Sequence, residues 1–130
     1  MEFYKTNMNP KGWKTGDCVI RAIAYATNKP WAEVYKDLCE VGLKKCRMPN
    51  DDIVWQKYLK DIGWEKMPQP RKVNGDKYTV EKFADHVKLF IGDKPAIVRV
   101  AHHLTVVEDG DLVDTWDCGY KTVGNWWVKE

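Results

Sequence analysis

A chain of 130 residues has the length of one ordinary domain, enough to bury a hydrophobic core without disulfides or metals as staples. Its 44% hydrophobic and 31% charged residues are the composition of a soluble globular protein and exclude a disordered or fibrous one. With 21 basic and 19 acidic residues the net charge is +2, too little to argue for a nucleic-acid partner, because phosphate binding needs a concentrated basic surface.

No stretch approaches the ~20 apolar residues of a membrane span, and the opening "MEFYKTNMNPKGWK" lacks the apolar core of a secretory signal. The expectation is a single domain over residues 1–130, cytoplasmic, with no membrane partner. Cys18, Cys39, Cys46 and Cys118 form no CxxC pair, and no second Cys/His cluster completes a zinc set. No metal or organic cofactor is therefore expected, and the thiols would stay reduced. The sequence carries no signal for an oligomeric state.

In chain order, residues 1–14 read as an irregular arm, broken by Pro10, Gly12 and two asparagines. A helix is predicted from Thr15–Asp17, good capping residues, to about Thr27, with Val19, Ile20, Ile23, Ala24 and Thr27 on its core face. "NKP" stops it, and "WAEVYKDLCEVGLKK" follows as a second amphipathic helix. "NDDIVWQKYLKDIG" predicts a third, capped by Asn50 or Asp51 and closed by Gly63. Residues 66–77, with two prolines and an "NGD" turn, predict a surface loop, and "YTVEKFADHVKLF" a fourth helix capped by Thr79. After "IGDKP" the period changes. "AIVRV", "HLTVV", "LVDTW" and "NWWV" are short β-branched and aromatic runs, and "EDGD" at 108–111 is a hairpin signal. Helices followed by an antiparallel sheet make an α+β layout. The alternation sends Trp126 and Trp127 to opposite faces, so one of them could line the surface or a cleft.

A two-residue turn at Asp109-Gly110 sets His103 opposite Trp116, Thr105 opposite Asp114 and Val107 opposite Leu112. His103 and Asp114 then share one face as diagonal neighbours, and His102 and Asp117 share the other. Only one pair can face the helix that carries Cys18, and a one-residue slip would exchange His103 for His102. Cys18 falls in the first turn of its helix, where free N–H groups and the macrodipole favour a thiolate. Asp17 opposes this by like charge, and Arg21 one turn on offsets it. Thiol, imidazole and carboxylate in this order have the parts of a nucleophilic triad. Against it stands the tendency of cysteine to be buried for packing alone. Cys39 and Cys46, on or after an amphipathic helix, read as core or incidental. Cys118, after Asp117 at a strand end, reads as a packing residue, with a place close to the site as the alternative. His86, inside a helical pattern among charges, reads as a solvated residue.

The order Cys, His, Asp with helix first and sheet later resembles the papain-like cysteine peptidase superfamily. "DTW" at 114–116 is similar to that family's "NSW", and "KPAIVRVAHHLTVV" resembles the segment around the catalytic histidine of bacterial peptidases that remove double-glycine leaders. "TGDCVIRAIA" with "HLTVVEDGDLVDTWD" is similar to small papain-fold proteins of bacteria and their phages. The resemblance implies a papain-like fold in which the nucleophile helix packs on the C-terminal sheet. It makes Cys18 the nucleophile, His103 the general base and acid, Asp114 the orienting residue and Trp116 the shield of their hydrogen bond. It implies a peptide or protein substrate in a bacterial or phage-infected cell. The family's glutamine six residues before the nucleophile is Gly12 here, so the oxyanion donor expected beside the Cys18 N–H is Asn9 or Asn7. A thiol hydrolase, an inactive papain-fold protein that binds a host protein, and a transglutaminase-like acyltransferase are the functions this implies.

Overall fold

The change of hydrophobic period along the chain is realised as four helices followed and interleaved by six strands, described for all of residues 1–130 by a computed structural model. The helices are α1 (Cys18–Thr27), α2 (Trp31–Lys45), α3 (Asp52–Asp61) and α4 (Val80–Ile91). The strands are β1 (Phe3–Lys5), β2 (Trp64–Met67), β3 (Pro95–Val100), β4 (His103–Glu108), β5 (Asp111–Asp114) and β6 (Trp126–Lys129). They form one mixed sheet in the order β1-β5-β4-β3-β6-β2. The class is α+β, as the change of period led us to expect. None of the helices is long and apolar enough to cross a membrane.

Local chemistry sets the helix ends. Asn28 closes α1 in the left-handed region at φ 55, its N–H reaching the carbonyls of Ala24 and Tyr25. Asp51 caps α3 by accepting from the Ile53 N–H at 2.8 Å, and Thr79 caps α4 by accepting from the Lys82 N–H at 3.4 Å.

Two strands depart from the expected layout. Residues 3–5, read as part of an irregular arm, pair in parallel with β5, Phe3 opposite Leu112 and Lys5 opposite Asp114. The sheet is therefore mixed rather than antiparallel. Lys66 and Met67, read as the start of a loop, belong to β2, which pairs antiparallel with β6. Both are short edge strands ordered by partners far along the chain, and three or four residues carry too little alternation to announce themselves.

The sheet divides two cores. On one face α1, α2 and α3 pack Ile23, Leu38, Trp55 and Leu59 against Ile97, Leu104, Val106 and Trp127. On the other, α4 packs Val80, Phe83 and Val87 against Ala96, Val98, Val107 and Leu112. Trp127 meets Trp55 edge-on at 4.9 Å, and Trp126 meets Phe83 at 5.2 Å. The two tryptophans do point to opposite faces, but both faces are covered, so each finds an aromatic partner rather than open solvent.

Candidate active site

The β4–β5 hairpin has the register that its turn demands. Asp109 and Gly110 take φ 52 and 81, and Val107 stands opposite Leu112 and Val106 opposite Val113. There the ladder stops, one step before Thr105 and Asp114, and β5 ends at Asp114 rather than at Trp116. Asp114 instead accepts the Thr6 N–H on its carbonyl at 2.8 Å, which ties it to the segment after β1. His103 and Asp114 share the parity of Val107 and Leu112, which face α4. Asp114 stands beyond the last β4–β5 pair, while His103, the first residue of β4, is still paired with Val100 of β3. The two side chains meet at this end of the sheet, beside the start of α1.

His103 Nε2 donates to Asp114 Oδ2 at 2.6 Å. With that nitrogen engaged, Nδ1 is left for the Cys18 thiol, which lines the same cleft as the ring and whose acidity the ring raises. Asp114 is 8% exposed, and its second oxygen accepts the Thr115 N–H at 2.6 Å. The Trp116 ring lies 5.0 Å from the His103 ring, centroid to centroid, and is 37% exposed, so it covers the imidazole from the solvent side.

Three shifts follow from this packing. Burial pushes the Cys18 thiol up, but its hydrogen bonds to His103 and the Leu104 backbone, with the charges of His103 and Arg21, outweigh it and leave the thiol below its ordinary value. Burial pushes His103 down, but hydrogen bonds to Asp114, Cys118 and Cys18 carry it up to about 11. Asp114 is pushed up by burial and held below the usual carboxylate range by His103. All three directions favour thiolate, imidazolium and carboxylate.

A buried charge network backs the trio. Arg21 pairs with Asp17 one turn earlier and lies 3.9 Å from Asp114. Asp17, 4% exposed, also accepts the Trp31 indole N–H at 2.9 Å and the Asn9 Nδ2 at 3.2 Å. Although it occupies the N-cap position of α1, its side chain makes no capping bond. The N–H groups of Cys18, Val19 and Ile20 therefore keep the free state of a first helical turn.

The other residues singled out in the sequence lie apart from this contact. His102, at φ 58, fills the turn between β3 and β4, and Asp117 accepts the Gly119 N–H, so these two form no pair. The Asn9 side-chain amide donates to Asp17 rather than to the thiol, and Asn7 Oδ1 accepts the Asn9 N–H at 3.0 Å within the arm. Cys118 is fully buried, as packing requires, yet its thiol sits 3.9 Å from Asp114 Oδ2. Its spacing four residues after Asp114 was the available sign. His103, Asp114 and Cys118 have ligand atoms within 4.8 Å of one another. The 2.6 Å separation of Nε2 and Oδ2 is that of a hydrogen bond, not of two ligands flanking an ion.

An open cleft of about 530 Å³ leads to the thiol, lined among others by Cys18, His103, Trp116, Lys14, Arg99 and Asp52. Arg99 donates to Asp52 at 2.7 Å within it. No family model, curated protein or solved structure matches this chain.

Proposed function

We propose that the chain is a small papain-like thiol hydrolase that cleaves a peptide or isopeptide bond with Cys18, His103 and Asp114. The observation that carries this reading is one imidazole bonded to a buried carboxylate and sharing an open cleft with the Cys18 thiol. The Cys18 thiolate attacks the carbonyl carbon, a C–S bond forms, and the carbonyl π electrons move to oxygen. Free N–H groups of the first turn of α1, that of Cys18 foremost, donate to this oxyanion. His103 Nδ1 gives its proton to the departing amine as the C–N bond breaks, leaving a thioester. The same nitrogen then takes a proton from water, whose oxygen attacks the thioester and restores the thiolate. Asp114 holds Nε2–H throughout and stabilises the cation, while Trp116 shields their hydrogen bond.

A second reading, a papain-fold module that binds a host protein with little turnover, is favoured by a different observation. Gly12 stands where the family's glutamine would be, and the Asn9 amide is engaged with Asp17. Loss of one oxyanion donor costs about 100- to 1,000-fold in rate. If an amine replaced water at the thioester, the same groups would carry out acyl transfer.

Alkylation by iodoacetamide at about pH 6 separates these readings. Cys18 is expected to react faster than Cys39 and the exposed Cys46, and His103→Ala to remove that preference. A peptide library read by mass spectrometry should gain new termini with the wild type and none with Cys18→Ala. Selective labelling without new termini favours the binding module. Labelling that shows no preference for Cys18 refutes an activated nucleophile.

A further inference from the structure

A second surface lies across the sheet from α1, built from α4 and the loop before it, and the hydrolase reading makes no use of it. Arg71, Lys72, Lys77 and Lys82 surround an open pocket of about 470 Å³. None of the four forms an ion pair, whereas Arg21, Lys29, Arg47, Lys57, Lys88 and Arg99 all do. The pocket's carboxylate, Asp76, is turned back into the loop, accepting from the Asn74 amide at 3.1 Å. Among the acids of α4, Asp85 faces the N-terminal ammonium at 3.6 Å, and Glu81 precedes Lys82 on a neighbouring face. Four cations around a single carboxylate leave the pocket with a net positive charge, which attracts an anionic partner.

Apolar side chains continue from these cations. Lys72 Nζ lies 5.7 Å from the Tyr78 ring centroid, Tyr78 stacks on His86 at 4.9 Å, and His86 meets Phe90 at 5.1 Å. Lys82, His86 and Phe90 are spaced four apart along one line of α4. Phe90 is 73% and Leu89 80% exposed, and Val73, next to Lys72, is fully exposed. Single exposed apolar residues are ordinary on any surface. Here exposed apolar residues lie beside a chain of ring contacts that runs from Lys72, one of the four cations, to Phe90, which is the pattern of a docking site.

We propose that this face of α4 docks an acidic peptide segment of a partner protein, its carboxylates on the four cations and an apolar side chain against Phe90 and Leu89. Aliphatic Val73 and Leu89 favour a peptide over single-stranded nucleic acid, whose bases bind by stacking on aromatic rings. The test is fluorescence anisotropy with a short fluorescein-labelled peptide of glutamates interrupted by two leucines one helical turn apart. Saturable binding is expected that weakens as salt rises. It should fall about tenfold in Lys72→Glu and in Lys77→Glu, where attraction becomes repulsion. Phe90→Ser, at an exposed site, should weaken it several-fold without unfolding the chain. Cys18→Ala should bind as the wild type does, so the outcome is independent of whether the chain is a hydrolase. Absence of saturable binding, indifference to the charge reversals, or tighter binding of an oligothymidylate of equal charge would overturn the proposal.

Discussion

Two helices begin against this sheet, and they treat their first turns in opposite ways. At α4 the Thr79 hydroxyl accepts the Lys82 N–H, while the N–H groups of Val80 and Glu81 donate to the Lys121 and Gly119 carbonyls, both at 2.9 Å. That end is closed. At α1 the N-cap residue is Asp17, a residue type that caps just as well, yet its carboxylate is drawn to Arg21, Trp31 and Asn9. A guanidinium and an indole N–H in a buried site outcompete backbone amides for it. The consequence is chemical, because the N–H groups left free are those beside the Cys18 thiol. A good capping residue at a helix start therefore does not establish a cap, and the absence of one can belong to a site.

The largest effect expected from this comparison is on stability. Asp17→Ala leaves the nearly buried Arg21 with Asp114 alone, at 3.9 Å, and removes the acceptor of the Trp31 indole. Breaking a buried ion pair from one side costs about 3–5 kcal/mol, to be measured by urea unfolding. Asp17→Asn should recover part of it, since an amide oxygen can still accept from Trp31. A loss no larger than the ~1 kcal/mol of an ordinary cap would return Asp17 to the class of Thr79, and the contrast between the two helix starts would vanish.

That contrast also marks how far the amino-acid sequence could be read. The Asp109-Gly110 turn is a local signal, and from it the diagonal placement of His103 and Asp114 follows without any tertiary knowledge. The end of α1 at Asn28 is local in the same sense. What was not legible depends on competition between distant groups. Asp17 reads locally as a cap, and the family resemblance offers Asn9 as an oxyanion donor, yet each is claimed by the other through a bond across eight positions. β1 is ordered by β5, more than a hundred residues away in sequence, and three residues hold no pattern that could announce it. Parity alone would have turned His103 and Asp114 toward α4. The β4–β5 ladder ends before Asp114, which no sequence pattern reveals, and the His103–Asp114 pair sits at that open end, beside the cleft that Cys18 lines.

An intermediate effect is expected in the pH dependence of thermal stability. His103 has its value raised from 6.5 to about 11, so its contribution to folding is complete below about pH 6.5 and is lost as pH rises toward about 11. Cys18 is lowered from 9.0, so its contribution is complete above that value and is lost as pH falls through its folded value. The two slopes oppose each other between the folded value of Cys18 and 9.0, and there they flatten the wild-type curve. Cys18→Ala removes the opposing slope. Between about pH 7 and 10 its Tm should fall more steeply than that of the double variant Cys18→Ala/His103→Gln. Parallel curves would mean that Asp114 does not hold a charged imidazole, and the α1 end would lose the partner that makes its open turn useful.

The smallest effect belongs to the closed end. Thr79→Ala removes one capping acceptor from α4 while the backbone bonds of Val80 and Glu81 to Lys121 and Gly119 remain. The cost should be about 1 kcal/mol, read as a shift in the urea midpoint with an unchanged slope. The alkylation rate of Cys18 should not move, because α4 packs on the other face of the sheet and none of its residues touches the thiol's cleft. The informative result is the pair of measurements on one variant. A helix start that only stabilises must lose stability alone. If Thr79→Ala also slowed alkylation, the segment from Cys118 to Thr122 would be transmitting strain from α4 to Asp114, and the two helix starts would have to be treated as one coupled unit.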